Sequence, residues 1–174
     1  MNLNRMSVRY AKALFETALE DKKAEKINDD MKLFMNAVKI PDFKLVLENP
    51  VILPSKKMSI FKEIFGTKTD ALSIRFLDLL TKNKREQYLE NIARNYLKLY
   101  RDFYGIKSVN LTTAFQVSNE LRKEISDIIS IKFKTKVELD ENVDKDIVGG
   151  FVLRVEDSLY DASVTGKLKK VKQN

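Results

Sequence analysis

Hydrophobic side chains recur at helical spacing through the first part of the chain and then alternate as they do in strands. The helical part predicts six helices, over about residues 4–20, 25–39, 42–48, 54–66, 69–82 and 85–104. Proline and glycine separate them: Pro41, Pro50 and Pro54 stand at helix boundaries, and Gly66 and Gly105 stand at helix ends. The pattern therefore predicts an N-terminal six-helix bundle.

After Gly105 the period changes to two. The segment around Val109 and Leu111 alternates as a strand, Ser118 is placed to cap a helix, and the paired glycines at 149–150 precede another strand. We expect a mostly α, α+β protein with domains at residues 1–105 and 106–174, the second a small α/β domain. Its predicted strands contain Val109, Leu111 and Thr113; Val137 and Leu139; and Phe151, Leu153 and Val155, the last forming a hairpin with a short strand through Leu159 and Tyr160. The first predicted helix has Leu121, Ile125, Ile128 and Ile129 as its packing face, and a last helix from Ser163 has Val164, Leu168 and Val171 pointing inward.

Two of the predicted helices carry more apolar surface than one core contact requires. In the first, the polar residues Arg9, Lys12, Glu16 and Glu20 occupy an arc of only about 80° of the helical wheel. In the fifth, the apolar residues cover about 220°. Each helix either runs through the middle of a bundle or keeps one apolar edge for a partner.

Composition removes several classes of function. The chain has 174 residues, 33% of them charged and 44% hydrophobic, and it has neither cysteine nor histidine. Disulfides, thiol catalysis and histidine-based general acid–base chemistry are excluded. A carboxylate enzyme stays open as an alternative, although no pair of acids stands out in an apolar setting. We predict no catalytic, cofactor-binding or metal site, and thus no enzyme. Residues 1–6 lack the apolar segment of a signal peptide, so we expect a chain without a secretory leader.

The net charge of +7 leaves a second function open. A basic helical adaptor would bind nucleic acid through its excess of lysine and arginine and through exposed aromatic rings. The candidate rings are those of Tyr88, Tyr96, Tyr100 and Tyr104, although their spacing is largely that of a helix core. No long basic block accompanies them.

Four short segments resemble one family when they are taken together and in order. They are residues 9–15 (RYAKALF), residues 49–57 with Asn49, Pro50, Pro54 and Lys57, residues 76–85 (FLDLL with Asn83 and Arg85), and residues 149–151 (GGF) with Asp161 and Ser163. The chain is similar over its whole length to the delta subunits of the F-type ATP synthase, a family that includes the mitochondrial oligomycin-sensitivity-conferring protein.

The resemblance implies a non-catalytic stator subunit of the peripheral stalk. In this family the helical domain grips the N-terminal helix of an alpha subunit in a groove between its first and fifth helices. The C-terminal domain holds the end of the b-type stalk subunits, which reach the membrane. The resemblance also implies a peripheral location on the cytoplasmic face of the cell membrane, or on the stromal face of the thylakoid in a plastid, with no direct membrane contact.

The first and fifth helices are also the two with surplus apolar surface, so the resemblance implies that one edge of each faces the partner and the other faces the core. Small residues on one edge of the first helix leave room for another helix, whereas Phe15 on the opposite edge suits a core. We assign Ala11, Phe15, Ala18, Leu19, Ile74, Leu77 and Leu80 to the core. The predicted partner-binding residues are Tyr10, Ala13, Leu14, Thr17, Leu72, Phe76 and Leu79.

Overall fold

The first part of the chain folds as successive helices. A computed structural model describes residues 3–133, 135–155 and 158–164. Before the first strand these residues form α1 (Leu3–Glu20), α2 (Ala24–Val38), α3 (Pro41–Glu48), α4 (Pro54–Phe65), α5 (Ala71–Lys82), a 3₁₀ turn (Glu86–Tyr88) and α6 (Leu89–Tyr104).

The helix boundaries follow from local chemistry. Pro41 and Pro54 each begin a helix, where a missing N–H costs nothing and the fixed φ suits the first turn. α5 begins two residues later than predicted. Asp70 lies just before it as the N-cap and accepts a hydrogen bond from the Leu72 N–H at 2.8 Å. Glu86 to Tyr88 form the 3₁₀ turn in place of the predicted first turn of α6.

Aromatic side chains meet at several points in the core of the helical part. The rings of Phe34 and Phe65 meet edge-on with centroids 4.9 Å apart, and Phe43 packs against Phe65 at 5.5 Å. Tyr96 is fully buried, and its hydroxyl donates a hydrogen bond to the carbonyl of Ala24 at 3.1 Å. This bond ties α6 to the start of α2 without leaving a buried polar group unpaired.

The second part of the chain is a four-stranded sheet in the order β2-β1-β3-β4 with one helix, α7. β1 and β2 are parallel and are connected through α7, whereas β3 is antiparallel to both β1 and β4. The small core of this second part of the chain consists of Val109, Ile129 and Val155. The bounds are β1 Lys107–Thr113, α7 Asn119–Phe133, β2 Val137–Val143, a 3₁₀ turn Lys145–Ile147, β3 Phe151–Val155 and β4 Ser158–Asp161. The protein is therefore mostly helical and α+β, as predicted.

The paired glycines form the bend that precedes β3. Gly150 has φ +78, and a Cβ built on it would lie 2.4 Å from the carbonyl oxygen of Ala162, so only glycine fits without strain. The carboxylate of Asp161 accepts hydrogen bonds from the Ser163 N–H at 2.9 Å and from its hydroxyl at 2.6 Å. Asp161 thus orders the turn after β4.

The chain divides into two compact units, Met1–Tyr100 and Arg101–Asn174. Arg101, in the last turn of α6, forms an ion pair with Glu138 of β2 at 3.4 Å. This ion pair connects the end of α6 to the sheet. The domain boundary after Gly105 stays a prediction.

Several apolar side chains of the second unit were predicted to point inward and do not. Ser118 caps α7 as expected, but Leu121 is 47% exposed and Ile128 is 64% exposed. Val164 is also exposed. The core of this unit is too small to cover them. Leu168 and Val171, the other inward positions of the predicted last helix, lie outside the described residues.

Candidate protein-binding groove

A groove of about 530 Å³ lies between α1 and α5. Each helix contributes two rows of side chains at a spacing of four residues, because residues four apart lie on one face of a helix. One row of each helix forms the floor and the other forms a wall. The floor consists of Met6, Tyr10, Leu14, Leu72 and Phe76, and the walls consist of Arg9, Ala13 and Thr17 on α1 and Arg75 and Leu79 on α5.

The floor of the groove is also part of the helical core. Leu14 is only 3% exposed, and Leu72 and Phe76 are buried with it. Tyr10 and Phe76 join the two helices across the floor, with ring centroids 6.4 Å apart in an edge-on arrangement. Such a pair contributes about 0.5 to 1.5 kcal/mol beyond the area it buries. Because its side chains are packed into the helical core, the floor forms a rigid surface.

The walls are exposed and mostly small or apolar. Leu79 is 48% exposed and extends the apolar surface of the floor onto the α5 wall. On the opposite wall, Ala13 and Thr17 leave space for a neighbouring helix. The Thr17 hydroxyl donates a hydrogen bond to the Ala13 carbonyl at 3.0 Å, so a helix covering this wall would leave no unpaired hydroxyl.

A buried carboxylate fixes the position of α5. Asp30 of α2 is buried, and its Oδ2 accepts hydrogen bonds from the Ser73 hydroxyl at 2.6 Å and from the Asp70 N–H at 2.9 Å. The hydrogen bond from the Leu72 N–H, and then that from the Lys23 ammonium, hold the pKa of the Asp70 carboxyl below its usual value. The first turn of α5 is therefore held at the end of the groove that Leu72 lines.

The opposite edge of α1 packs into the core. Ala11 and Ala18 are fully buried, and the Phe15 ring meets Tyr96 edge-on with centroids 5.5 Å apart. On α5, Leu77 and Leu80 are likewise fully buried. Leu19 and Ile74, the remaining predicted core residues, are half-buried against the same cluster.

A family model described as ATP synthase delta (OSCP) subunit matches residues 6–174. The chain belongs to the ATP synthase delta (OSCP) subunit family.

Relatives in this family match over nearly the whole chain. An ATP synthase subunit delta of Cytophaga hutchinsonii is 36% identical over 173 residues, which is 99% of this chain and 94% of that protein. One from Clostridium botulinum is 34% identical over 166 residues, covering 95% and 93% respectively. Among solved structures, a chain of the Toxoplasma gondii mitochondrial ATP synthase hexamer has a TM-score of 0.72 at 25% identity, covering 96% of this chain and 95% of that one.

Membership of the delta (OSCP) family makes this chain a component of the ATP synthase peripheral stalk. Its association with the membrane is through that complex. Among the described residues, no helix combines the length and the apolar character needed to cross a bilayer. In the same part of the chain, no group of three or more acidic, histidine or cysteine side chains could hold a metal ion.

All the partner-binding residues predicted from the sequence line the groove of this delta-family chain, although they lie at different depths. Leu14, Leu72 and Phe76 are more buried than a partner contact requires, because the floor of the groove serves the core as well. Their role in binding a partner stays a prediction. The sequence analysis missed Met6, Arg9 and Arg75, each of which lies four residues before a predicted residue on the same row.

The aromatic surface that nucleic-acid binding would need is largely internal. Tyr96 is fully buried, and Tyr88 and Tyr100 pack against the helical core. Tyr104 is exposed, and its ring packs against Phe103 with centroids 5.0 Å apart. Three of the four proposed stacking rings therefore have a structural role.

Proposed function

We propose that this chain is a non-catalytic stator that connects the catalytic head of the ATP synthase to the membrane-anchored b subunits. It thereby keeps the head from turning with the rotor, so that rotation remains coupled to proton transport and ATP synthesis. Catalysis takes place on other subunits. We place the chain at the cytoplasmic face of the membrane, or at the stromal face of the thylakoid if the organism is a plastid-bearing one.

The helical unit, acting as a six-helix bundle, binds the N-terminal helix of an alpha subunit in the groove between α1 and α5. The observation that carries this proposal is a concave apolar surface with a rigid floor and an exposed Leu79 on its wall. Amphipathic helices bind in grooves of this kind through a few apolar anchors spaced three and four residues apart.

The energy available from such a groove is sufficient for tight binding. Burying a large aliphatic side chain contributes about 1.5 to 3 kcal/mol, and a helix presents several of them to a groove. A nanomolar complex requires about 12 kcal/mol after the costs of ordering have been met. A few well-packed anchors can supply this, and the rigid floor lowers the cost of ordering on the delta side.

We assign the end of the b-type stalk to the second unit. Its α7 exposes Leu121, Ile128 and Ile131, which lie within about 80° of one another around the helix and so form one apolar face. A long stalk helix could cover this face by ordinary helix packing. The small core of the unit leaves the face free for such a contact.

Calorimetric titration of the full chain with a synthetic peptide from the N-terminus of the cognate alpha subunit tests the proposal. We expect one-to-one binding with a negative heat-capacity change, the mark of apolar burial. Absence of binding by a folded chain would contradict the assignment of the groove.

The variant Leu79→Asp should abolish this binding while leaving the fold intact, because Leu79 is half exposed and a charge there lies against the apolar stripe of the partner. Leu45→Asp is a matched control, since Leu45 is exposed on α3 and does not line the groove. Leu14→Asp is less informative, because a buried charge at the floor unfolds the helical core. Circular dichroism establishes that each variant is folded, and unchanged affinity of the Leu79 variant would remove that residue from the site.

A further inference from the structure

Among the described residues that line the groove, two are cations and none is acidic. Arg9 lines it from the α1 wall and Arg75 lines it from the α5 wall, and both side chains are exposed. They therefore stand on opposite sides of the apolar floor. A helix lying in the groove would have one guanidinium on each side of its apolar stripe.

Lys12 of α1 and Lys82 of α5 are paired, whereas Arg9 and Arg75 have no ion pair among the described residues. Lys12 pairs with Glu16 at 3.7 Å, and Lys82 pairs with Asp78 at 2.7 Å. Within the described part of the chain, neither Arg9 nor Arg75 forms an ion pair or a side-chain hydrogen bond. A carboxylate four residues further on in the same helix could pair with each arginine, but those positions are occupied by Ala13 and Leu79.

The local sequence explains why Arg75 has no ion-pair partner in the part of the chain that the structure describes. The carboxylate within reach along α5 is Asp78, three residues further on, and Lys82 holds it. Two guanidiniums facing an apolar groove without a local carboxylate favour a partner that supplies the opposite charge, since complementary charges set orientation and partner choice at an interface.

We propose that the groove selects an acidic amphipathic helix, with an apolar stripe flanked on both sides by carboxylates that pair with Arg9 and Arg75. This inference rests on the proposed function, because it specifies the chemistry of the alpha-subunit segment that the groove binds. The apolar stripe supplies most of the affinity. The two arginines fix the orientation of the helix and reject neutral or basic helices.

The test uses charge reversal on both sides of the interface. Titrations of the full chain with the cognate alpha-subunit peptide are compared for the wild type, for Arg9→Glu/Arg75→Glu and for Arg9→Gln/Arg75→Gln. Lys56→Glu/Lys62→Glu is the matched control, because it changes the net charge equally at exposed residues outside the groove. A second peptide has lysine in place of each acidic residue beside the apolar stripe.

At low salt we expect about tenfold weaker binding by the charge-reversed chain, in line with exposed ion pairs replaced by like charges. The glutamine variant should lose less, the control should bind as the wild type does, and the lysine-substituted peptide should restore binding to the reversed chain. Raising the salt to about 0.5 M should shrink these differences, because exposed charges are screened.

The two hypotheses fail in different ways. If the folded wild-type chain does not bind the cognate peptide, both the groove assignment and this inference are overturned. If the wild type binds tightly but reversal changes affinity no more than the control does, or if the cognate peptide has no acidic residue beside its apolar stripe, the acidic-helix inference is overturned and the groove assignment stands.

Discussion

A buried ion pair near the 3₁₀ turn shows how much one residue can stabilise the helical unit. Lys57 of α4 is 3% exposed, and its ammonium donates to Glu86 Oε1 at 2.6 Å and to the Leu47 carbonyl at 3.0 Å. These bonds join the ends of α3 and α4 to the turn that precedes α6. The pair satisfies one carboxylate oxygen, while Glu86 Oε2 is buried without a hydrogen bond from the described residues.

Lys57→Met should therefore lower the free energy of unfolding by about 3 to 5 kcal/mol, since it leaves the Glu86 carboxylate buried and uncompensated. The double variant Lys57→Met/Glu86→Leu should recover much of that loss, because it removes both charges together. Urea denaturation of the two single variants and the double variant gives the coupling energy. Additive losses would mean that the two side chains stabilise the fold independently.

At the scale of elements, the position of α5 depends on the hydrogen bonds at its first turn. Asp70 caps the helix, Asp30 holds the cap from α2, and Lys23 pairs with the Asp70 carboxylate at 3.0 Å. The position of the α5 side of the groove therefore depends on this cap.

Asp70→Ala should lower the free energy of unfolding by about 1 kcal/mol near pH 7 through loss of the cap. Asp70→Asn keeps a hydrogen-bond acceptor but removes the charge, so its comparison with the wild type measures the contribution of the charge alone. Because folding lowers the pKa of the Asp70 carboxyl, its ionised form contributes stability that is complete above the unfolded-state pKa. That contribution is lost as the pH falls through the folded-state pKa.

The stability of the wild type should therefore approach that of Asp70→Asn as the pH falls from about 5 to about 2. Denaturation curves across this range measure the difference. A gap between the two proteins that is constant with pH would show that the charge contributes nothing and that the cap acts through its geometry alone.

The helical wheel placed the predicted partner-binding residues on the edges of α1 and α5 that line the groove, but it could not give the depth of each side chain. Periodicity reports the direction of a side chain, whereas its burial depends on which other helix covers it. Leu14 and Leu79 therefore looked equivalent in the sequence, although one is buried and the other half exposed. On α7 the same limitation made Leu121 and Ile128 look internal. The Lys57–Glu86 pair follows no periodicity, so no pattern in the sequence could reveal it.

At the scale of the whole molecule, the two units differ greatly in the size of their cores. The helical unit buries a large aromatic and aliphatic cluster, whereas the core of the second unit is formed by Val109, Ile129 and Val155 with a few half-buried neighbours. Apolar burial is the main favourable contribution to folding, so the units should differ in local stability.

Hydrogen exchange should detect this difference. We expect backbone amides of β1, β2 and β3 to exchange faster than those of α2, α5 and α6, because opening the second unit exposes less apolar surface. Mass spectrometry of peptic fragments measures the two sets in one experiment. Adding the C-terminal segment of the cognate b subunits should slow exchange in the second unit, and equal protection of both units without it would contradict the expectation.

The sharing of floor residues between core and groove limits how this surface can change over evolutionary time. A substitution at Leu14 or Phe76 that destabilises the fold is eliminated by selection whatever its effect on binding. The exposed wall residues Ala13, Thr17 and Leu79 have no such restriction, so they can change together with the partner residues that contact them. Across species the floor should therefore vary little, and compensating changes between the two subunits should concentrate at the walls.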